Sequence, residues 1–355
     1  KKAQEWLSEP FDVETQKNVR QLMENDLKSL EDAYYTNIDF GTGGMRGIMG
    51  VGTNRVNKYT LGKNTQGICN YLKKVFPDDK HRVAIAFDCR HNSKSLAKIV
   101  ADVFTANGVK VYLFEDLRPT PELSFTVKHF NCQCGIMLTA SHNPPEYNGY
   151  KVYWEDGGQL VPPQDQDIIK EIEALEFKDI NFKENAELLE IIGEQVDKIF
   201  VNEAVKNAKK NVDDSARNNL KVVFTALHGT SITVVPQTLE QAGYNHVDIV
   251  KEQAEPNGDF PTVKSPNPEE PEALKMAMEL AEKNNSDIVI GTDPDGDRLG
   301  IAVRDDQNKI KLLNGNQTMV LMTWFLLDEA KNNLKGNEFV ASTIVSTPMM
   351  RVMTE

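Results

Sequence analysis

Short apolar runs alternate with amphipathic stretches of about a dozen residues over most of the chain. Residues 83–87 and 109–114 read as strands, a helix is expected over 95–107 between them, and a third apolar run, 135–140, stops just before Ser141. The cycle returns downstream, with strands expected at 220–226, 246–250 and 287–291 and helices at 234–242 and 272–283. Alternation of this kind covers both faces of a sheet with helices, which predicts tandem α/β units.

Between and around these units the pattern changes. In the first forty residues Trp6, Val19, Leu22, Leu27 and Leu30 recur at helical spacing among charges, which predicts one or two surface helices. Residues 162–215 read as mostly helical and charged, 211–219 as a linker or loop, and 255–271, with its five prolines, as a long ordered loop. A third unit is expected to begin near Lys309. It would hold a strand over 339–345, and Ser346-Thr-Pro348 would then open a helix at Met349. The chain starts at Lys1 without a methionine and stops inside that helix, so it is expected to be part of a longer protein with its last unit incomplete.

Length agrees with several domains, since 355 residues is more than twice the ~150 of one. No segment approaches the ~18 consecutive apolar residues of a membrane span. The net charge of −13 and the lack of a basic run argue against a nucleic-acid or anionic-membrane surface, so an anionic ligand must be held by a local cluster of cations. Cys69, Cys89, Cys132 and Cys134 are sparse, and Cys132-Gln-Cys134 lacks the partners of a zinc site. Free thiols in a reducing, cytoplasmic compartment are expected.

Chemistry concentrates at two strand ends. In Gly291-Thr-Asp293-Pro-Asp295-Gly-Asp297-Arg298, three carboxylates at alternate positions need a cation among them, and hard oxygens suit Mg²⁺. An EF-hand loop from Asp293 would need Gly at its sixth position and Glu at its twelfth, where Arg298 and Arg304 stand. A plain Asx-rich turn with solvated acids is the other reading. In Thr139-Ala-Ser141-His142-Asn143-Pro-Pro145, a serine follows a strand where ligands of α/β folds bind, which makes it a candidate nucleophile. The hydrolase elbow Gly-x-Ser-x-Gly is absent, so acyl transfer is disfavoured, while a side-chain turn before the two prolines is the structural alternative. Lys151 stands where the chain re-enters a strand, and Gly41, Gly43, Gly44 and Gly47 around Arg46 could let backbone N–H groups and a guanidinium approach a phosphate.

Taken in order, Phe40-Gly-Thr-Gly-Gly-Met-Arg-Gly47, Asp88-Cys-Arg90, Pro119-Thr-Pro121, Thr139-Ala-Ser-His-Asn-Pro144, Asn148-Gly-Tyr-Lys151 and Asp293-Pro-Asp-Gly-Asp-Arg298 closely resemble the α-D-phosphohexomutase superfamily, the phosphoglucomutase/phosphomannomutase enzymes. The resemblance implies three-layer α/β/α domains with mixed sheets: domain I over 1–190, domain II over 191–308, the start of domain III over 309–355, and a fourth domain absent. It implies an Mg²⁺-dependent isomerase that interconverts hexose 1- and 6-phosphates of glucose or mannose through a phosphoserine and a bisphosphate. Glucose 1,6-bisphosphate would be the activator and phosphoryl donor.

In that scheme Ser141 carries the phosphoryl group and joins Asp293, Asp295 and Asp297 on the metal. Arg46 and Lys151 are catalytic, and Arg46, His142, Lys151 and Arg298 bind phosphate. A cationic neighbour is expected to lower the Lys151 pKa enough for base catalysis. Partners would be small sugar phosphates, with neither nucleic acid nor membrane. The family's Glu-x-Ser-Gly sugar loop is not found, so weak or no turnover is expected of these 355 residues. Three rivals are a phosphopentomutase of the same superfamily, a haloacid-dehalogenase-type phosphatase built on Asp293-Pro-Asp295-Gly, and a non-catalytic sugar-phosphate-binding protein.

Overall fold

Burial on both sides of β2 sets the layering of the first domain. In the computed structural model, which describes residues 1–208 and 213–355, the first sheet comprises β1 (Gly44–Ile48), β2 (Arg82–Phe87), β3 (Lys110–Phe114), β4 (Cys134–Leu138), β5 (Tyr147–Trp154) and β6 (Leu189–Ile192). Val83, Ile85 and Phe87 enter one core with Leu61, Ile68 and Val100 from the helices Lys58–Val75 and Ser93–Ala106. Ala84 and Ala86 enter the other, against Leu123 and Val127 of the helix Thr120–His129. Period-two alternation with both faces apolar is what a sheet covered on both sides requires.

The order is β1-β5-β4-β2-β3-β6, with β5 antiparallel to both β1 and β4 and the remaining pairs parallel. The second sheet, β11-β10-β9-β7-β8, is likewise mixed and comprises β7 (Lys221–Thr225), β8 (His246–Ile249), β9 (Ile288–Thr292), β10 (Leu299–Arg304) and β11 (Ile310–Leu312). Two α/β/α domains in tandem are thus present.

Several elements differ from the sequence expectation. The glycine-rich stretch contains an edge strand, β1. Gly44 has φ +124°, and a Cβ there would lie 1.9 Å from the Tyr150 carbonyl oxygen; one on Gly149 would lie 2.5 Å from that of Thr139. The glycines therefore let β1, β5 and the loop after β4 approach at backbone distance. Within 162–215 the chain is less helical than expected, because β6 extends the first sheet through Ile192 before the helix Glu194–Ala208. Of the expected linker 211–219, residues 211 and 212 lie outside the described residues, and the short helix Asp214–Asn219 occupies most of the rest. β11 completes the second sheet, so the stretch just after Lys309 packs with the second domain.

The run 339–345 forms no strand. A strand requires a partner edge, and this run pairs with none: Phe339 and Ile344 are exposed. The helix Met349–Thr354 begins where expected. At the other end the helices Val13–Asn25 and Leu27–Tyr34 surround a small aromatic core in which Trp6 stacks on Phe11, 4.2 Å between centroids, with Tyr34 and Tyr59 edge-on. Leu27 faces outward. Among the described residues no helix is long and apolar enough to cross a membrane, and all four cysteines are free.

The helix Glu194–Ala208 joins the two domains: Val196 packs in the first core, Val201 and Val205 against Val234 and Ala242 of the second. Its Asp197 takes a two-pronged ion pair from Arg118, with Nε–Oδ1 2.7 Å and Nη2–Oδ2 2.9 Å. Glu122 lies fully buried beside this pair. Burial, and then the Asp197 carboxylate, push the Glu122 carboxyl from 4.5 up to about 9, Arg118 only partly opposing them. The folded chain thus keeps a proton that the unfolded chain loses, and stability should fall as pH rises from about 5 to 9. Glu122→Gln should remove that part of the fall, which urea unfolding across this range would show.

Candidate active site

Both chemical loops emerge from carboxyl ends of strands: Ser141 three residues beyond β4, and Asp293 directly after β9. Ligand sites of α/β domains open at this edge. The two domains face each other there, and Ser141 Oγ donates a 2.6 Å hydrogen bond to Asp293 Oδ2 across 152 residues of sequence. Ser141 is 1 % exposed and has φ +54°, a left-handed conformation that costs a non-glycine residue roughly 1–3 kcal/mol. His142 Nδ1 lies 3.1 Å from the same Oγ.

The three aspartates converge as their spacing predicts, each offering an oxygen within 4.8 Å of the others. Gly296, at φ +71°, makes the turn between Asp295 and Asp297, and the Arg298 N–H fixes Asp293 Oδ1 at 3.0 Å. Asp295 Oδ2 accepts from the Thr120 hydroxyl at 2.7 Å and from Lys151 Nζ at 2.5 Å, while Lys151 also reaches Asp297 Oδ2 at 2.6 Å. Asp293 and Asp295 are fully buried.

Electrostatics fit a divalent cation. Burial, then Asp295 and Asp297, hold the Asp293 carboxyl far above the usual carboxylate range; Asp295 is held below it, because Lys151 and its hydrogen bonds outweigh the burial that opposes ionisation. Oδ1 of Asp295 is buried with no hydrogen-bond partner. An all-carboxylate donor set short of positive charge, with one buried oxygen unsatisfied, is what Mg²⁺ takes. Asp293, Asp295, Asp297 and the Ser141 hydroxyl are the groups that would hold it.

Lys151 departs from expectation. It is paired with β1 and β4 from the middle of β5, opposite Gly44 and Met137. Burial works against its ammonium, but Asp295 and Asp297 outweigh burial and raise its pKa above the ordinary lysine range. Its near neighbours are carboxylates, and the expected depression is absent. Arg46 projects from β1 opposite Gly149 and donates to Asn143 Oδ1 at 2.7 Å, so a guanidinium borders the serine loop. Arg298 and Arg46, after burial itself, depress the pKa of half-buried His142, which places both cations beside it.

All the residues expected at the site therefore meet at one place, from β1, β5 and the loops after β4 and β9. The sequence reading gave no role to Thr120, which stands at the start of its helix and ties Asp295 to the first domain through its hydroxyl and through its N–H to the Asp295 carbonyl at 2.8 Å. Its signal was Pro119-Thr-Pro121, a helix start after β3 at the same sheet edge.

The descriptions "Phosphoglucomutase/phosphomannomutase, alpha/beta/alpha domain I" and "domain II" match residues 37–179 and 198–307. The chain belongs to the α-D-phosphohexomutase superfamily. A phosphoglucomutase of Staphylococcus epidermidis is 36 % identical over 330 residues, 92 % of this chain and 59 % of that protein; one from Staphylococcus aureus is 37 % identical over 327 residues, 91 % and 58 %. The chain thus spans about three fifths of these relatives. Among solved structures, a Thermus thermophilus protein provisionally named a phosphomannomutase superposes with a TM-score of 0.68 at 25 % identity, covering 83 % of this chain and 62 % of that one. A phosphoglucomutase/phosphomannomutase family protein from Burkholderia thailandensis shares the fold at 22 % identity, with a TM-score of 0.64 over 81 % and 58 %.

Mg²⁺ at 100 times its dissociation constant should stabilise this phosphohexomutase-family chain by about 2.7 kcal/mol. Calorimetric unfolding with and without the ion would show the rise, and the doubly substituted Asp293→Asn, Asp295→Asn chain should show none.

Proposed function

We propose that this chain carries the phosphoryl-transfer centre of a phosphohexomutase, in which Ser141 takes a phosphoryl group from a hexose bisphosphate and returns one to a hexose monophosphate. The observation that carries this reading is the buried Ser141 hydroxyl on Asp293, within a carboxylate cluster suited to Mg²⁺. In the forward half-reaction Ser141 Oγ forms a bond to phosphorus, and the phosphorus–oxygen bond to the sugar breaks. The hydroxyl proton leaves Oγ, with Asp293 Oδ2 and His142 Nδ1 within reach, and the sugar oxygen takes a proton. The second half-reaction reverses these bonds at the other end of the sugar. Mg²⁺, when bound, supplies Lewis-acid stabilisation of phosphoryl oxygens.

The chain's own cations do the remaining electrostatic work. Phosphoryl transfer depends on positioning and on offsetting charge over the transferred oxygens. Lys151 approaches from the β5 side, and Arg46 and Arg298 flank His142. Lys151 donates from a fixed position between Asp295 and Asp297, and its pairing supports a role as a cationic donor to phosphate. Glucose or mannose phosphates are the proposed substrates, glucose 1,6-bisphosphate the donor, and a reducing cytoplasmic compartment the setting. The sugar-phosphate-binder reading predicts a different outcome with the same reagents.

Incubation with Mg²⁺ and glucose 1,6-bisphosphate, followed by intact mass and peptide mapping, should add one phosphoryl group at Ser141, and Ser141→Ala should add none. Absence of label from the unsubstituted chain, together with tight bisphosphate binding, would favour the binder. Lys151→Ala should slow labelling by roughly 10²-fold or more, measured in single turnover.

A further inference from the structure

The loop that presents Ser141 is gripped from below by a side chain to which the phosphoryl-transfer reading gives no part. Arg90, 3 % exposed, follows β2 and sends its guanidinium under the loop. Its Nη2 donates to the carbonyl oxygens of Ser141 at 2.7 Å and Asn143 at 2.5 Å; its Nη1 donates to those of Pro144 at 2.8 Å and Tyr147 at 3.1 Å. Four carbonyls of one loop thus converge on a single planar fork, a geometry that a lysine ammonium with three donors cannot reproduce.

Asp88, fully buried, anchors the fork and the other side of the same peptide. Its Oδ2 lies 3.3 Å from Arg90 Nε and accepts from the Thr139 hydroxyl at 2.7 Å; that hydroxyl in turn accepts from the Ser141 N–H at 2.8 Å. Oδ1 accepts from the Arg90 N–H and from Ser93 Oγ, at 2.9 and 2.8 Å. Both the N–H and the carbonyl of Ser141 are therefore held through Asp88, which is what a residue kept at positive φ requires.

The second domain closes this arrangement. Its loop 257–260 packs on the turn that carries Arg90: a Cβ on Gly258 would lie 2.9 Å from the Cys89 carbonyl oxygen, and Asp259 Oδ1 lies 2.7 Å from His91 Nε2. The buried ring of Phe260, itself at φ +47°, lies with its centroid 5.0 Å from the Arg90 guanidinium carbon. An aromatic surface beside a buried guanidinium attracts it and excludes water that would compete for the four carbonyls.

We propose that Arg90 is the positioning residue for Ser141 and that Phe260 fixes Arg90, so that docking of the second domain sets the geometry of the phosphoryl acceptor in the first. The consequence for catalysis rests on the reading of Ser141 as that acceptor. Arg90 and Phe260 act through the loop.

Arg90→Lys keeps the charge opposite Asp88, and Phe260→Leu keeps an apolar side chain of similar reach; the second variant decides if the first does not fold. Hydrogen exchange at residues 140–143 should quicken about tenfold in both variants while the β2 amides keep their protection. The limiting rate of Ser141 labelling by glucose 1,6-bisphosphate should fall about 10²-fold with the half-saturating concentration unchanged, because misplacement of the acceptor acts on the transfer step. Unchanged exchange at 140–143 in the variants overturns the assignment, and so does faster exchange with an undiminished limiting rate. If the unsubstituted chain takes no phosphate, the mutase reading fails, and the exchange measurement alone decides the positioning role.

Discussion

Two fully buried carboxylates and a third beside them, at the seam of two domains, repel one another, and the arrangement around them answers that repulsion. Lys151 from the first sheet reaches Asp295 and Asp297, the Thr120 hydroxyl reaches Asp295, and the Ser141 hydroxyl reaches Asp293. All three donors belong to the first domain and all three acceptors to the second. The charge problem of one domain is thus answered by the other, and the cluster is complete only when they are docked. One buried oxygen of Asp295 stays unsatisfied, which leaves room in the same scheme for a divalent ion.

Docking rests on more than the site. The helix Glu194–Ala208 contributes Val196 to one core and Val201 and Val205 to the other, and the Arg118–Asp197 pair ties its first turn to the segment before the helix Thr120–His129. That segment leads directly to Thr120. The second domain also repeats the local device of the first. Leu227, at φ +46° after β7, has its N–H held by the Thr225 hydroxyl at 3.1 Å, much as Ser141 is held by Thr139 after β4. A threonine at the strand end or one residue beyond it, followed by a left-handed turn, is the shared means of exposing a loop at the sheet edge.

Much of this was legible one element at a time. The strands β2, β4 and β7 announced themselves because both of their faces are buried, and β3 and β9 because one face is buried and the other partly so, with apolar runs bounded by helices. β1 did not, because Gly44 and Gly47 carry no hydrophobic pattern; they are there for close backbone approach, which only the neighbouring β5 reveals. β6 escaped for the opposite reason: in Leu189–Ile192 only one residue is buried, so a short edge strand looks like the end of a charged helical stretch. The run 339–345 has strand composition without a partner edge, and composition alone does not make a ladder.

The sequence by itself determined the chemistry available. Three aspartates at alternate positions around a glycine, and a serine at the end of an apolar strand, point to a candidate hard-cation site and a candidate acceptor, because spacing and residue type limit which oxygens can converge. Tertiary structure alone decided the electrostatic state and the geometry. Lys151 is raised in pKa, where the sequence reading expected depression, since its neighbours come from residues 144 and 146 positions away. Arg90 and Phe260 acquire meaning only where a guanidinium, four carbonyls and an aromatic ring from two domains meet. Local sequence encodes which groups a loop carries, while pKa values and backbone strain depend on what the fold brings within a few ångströms.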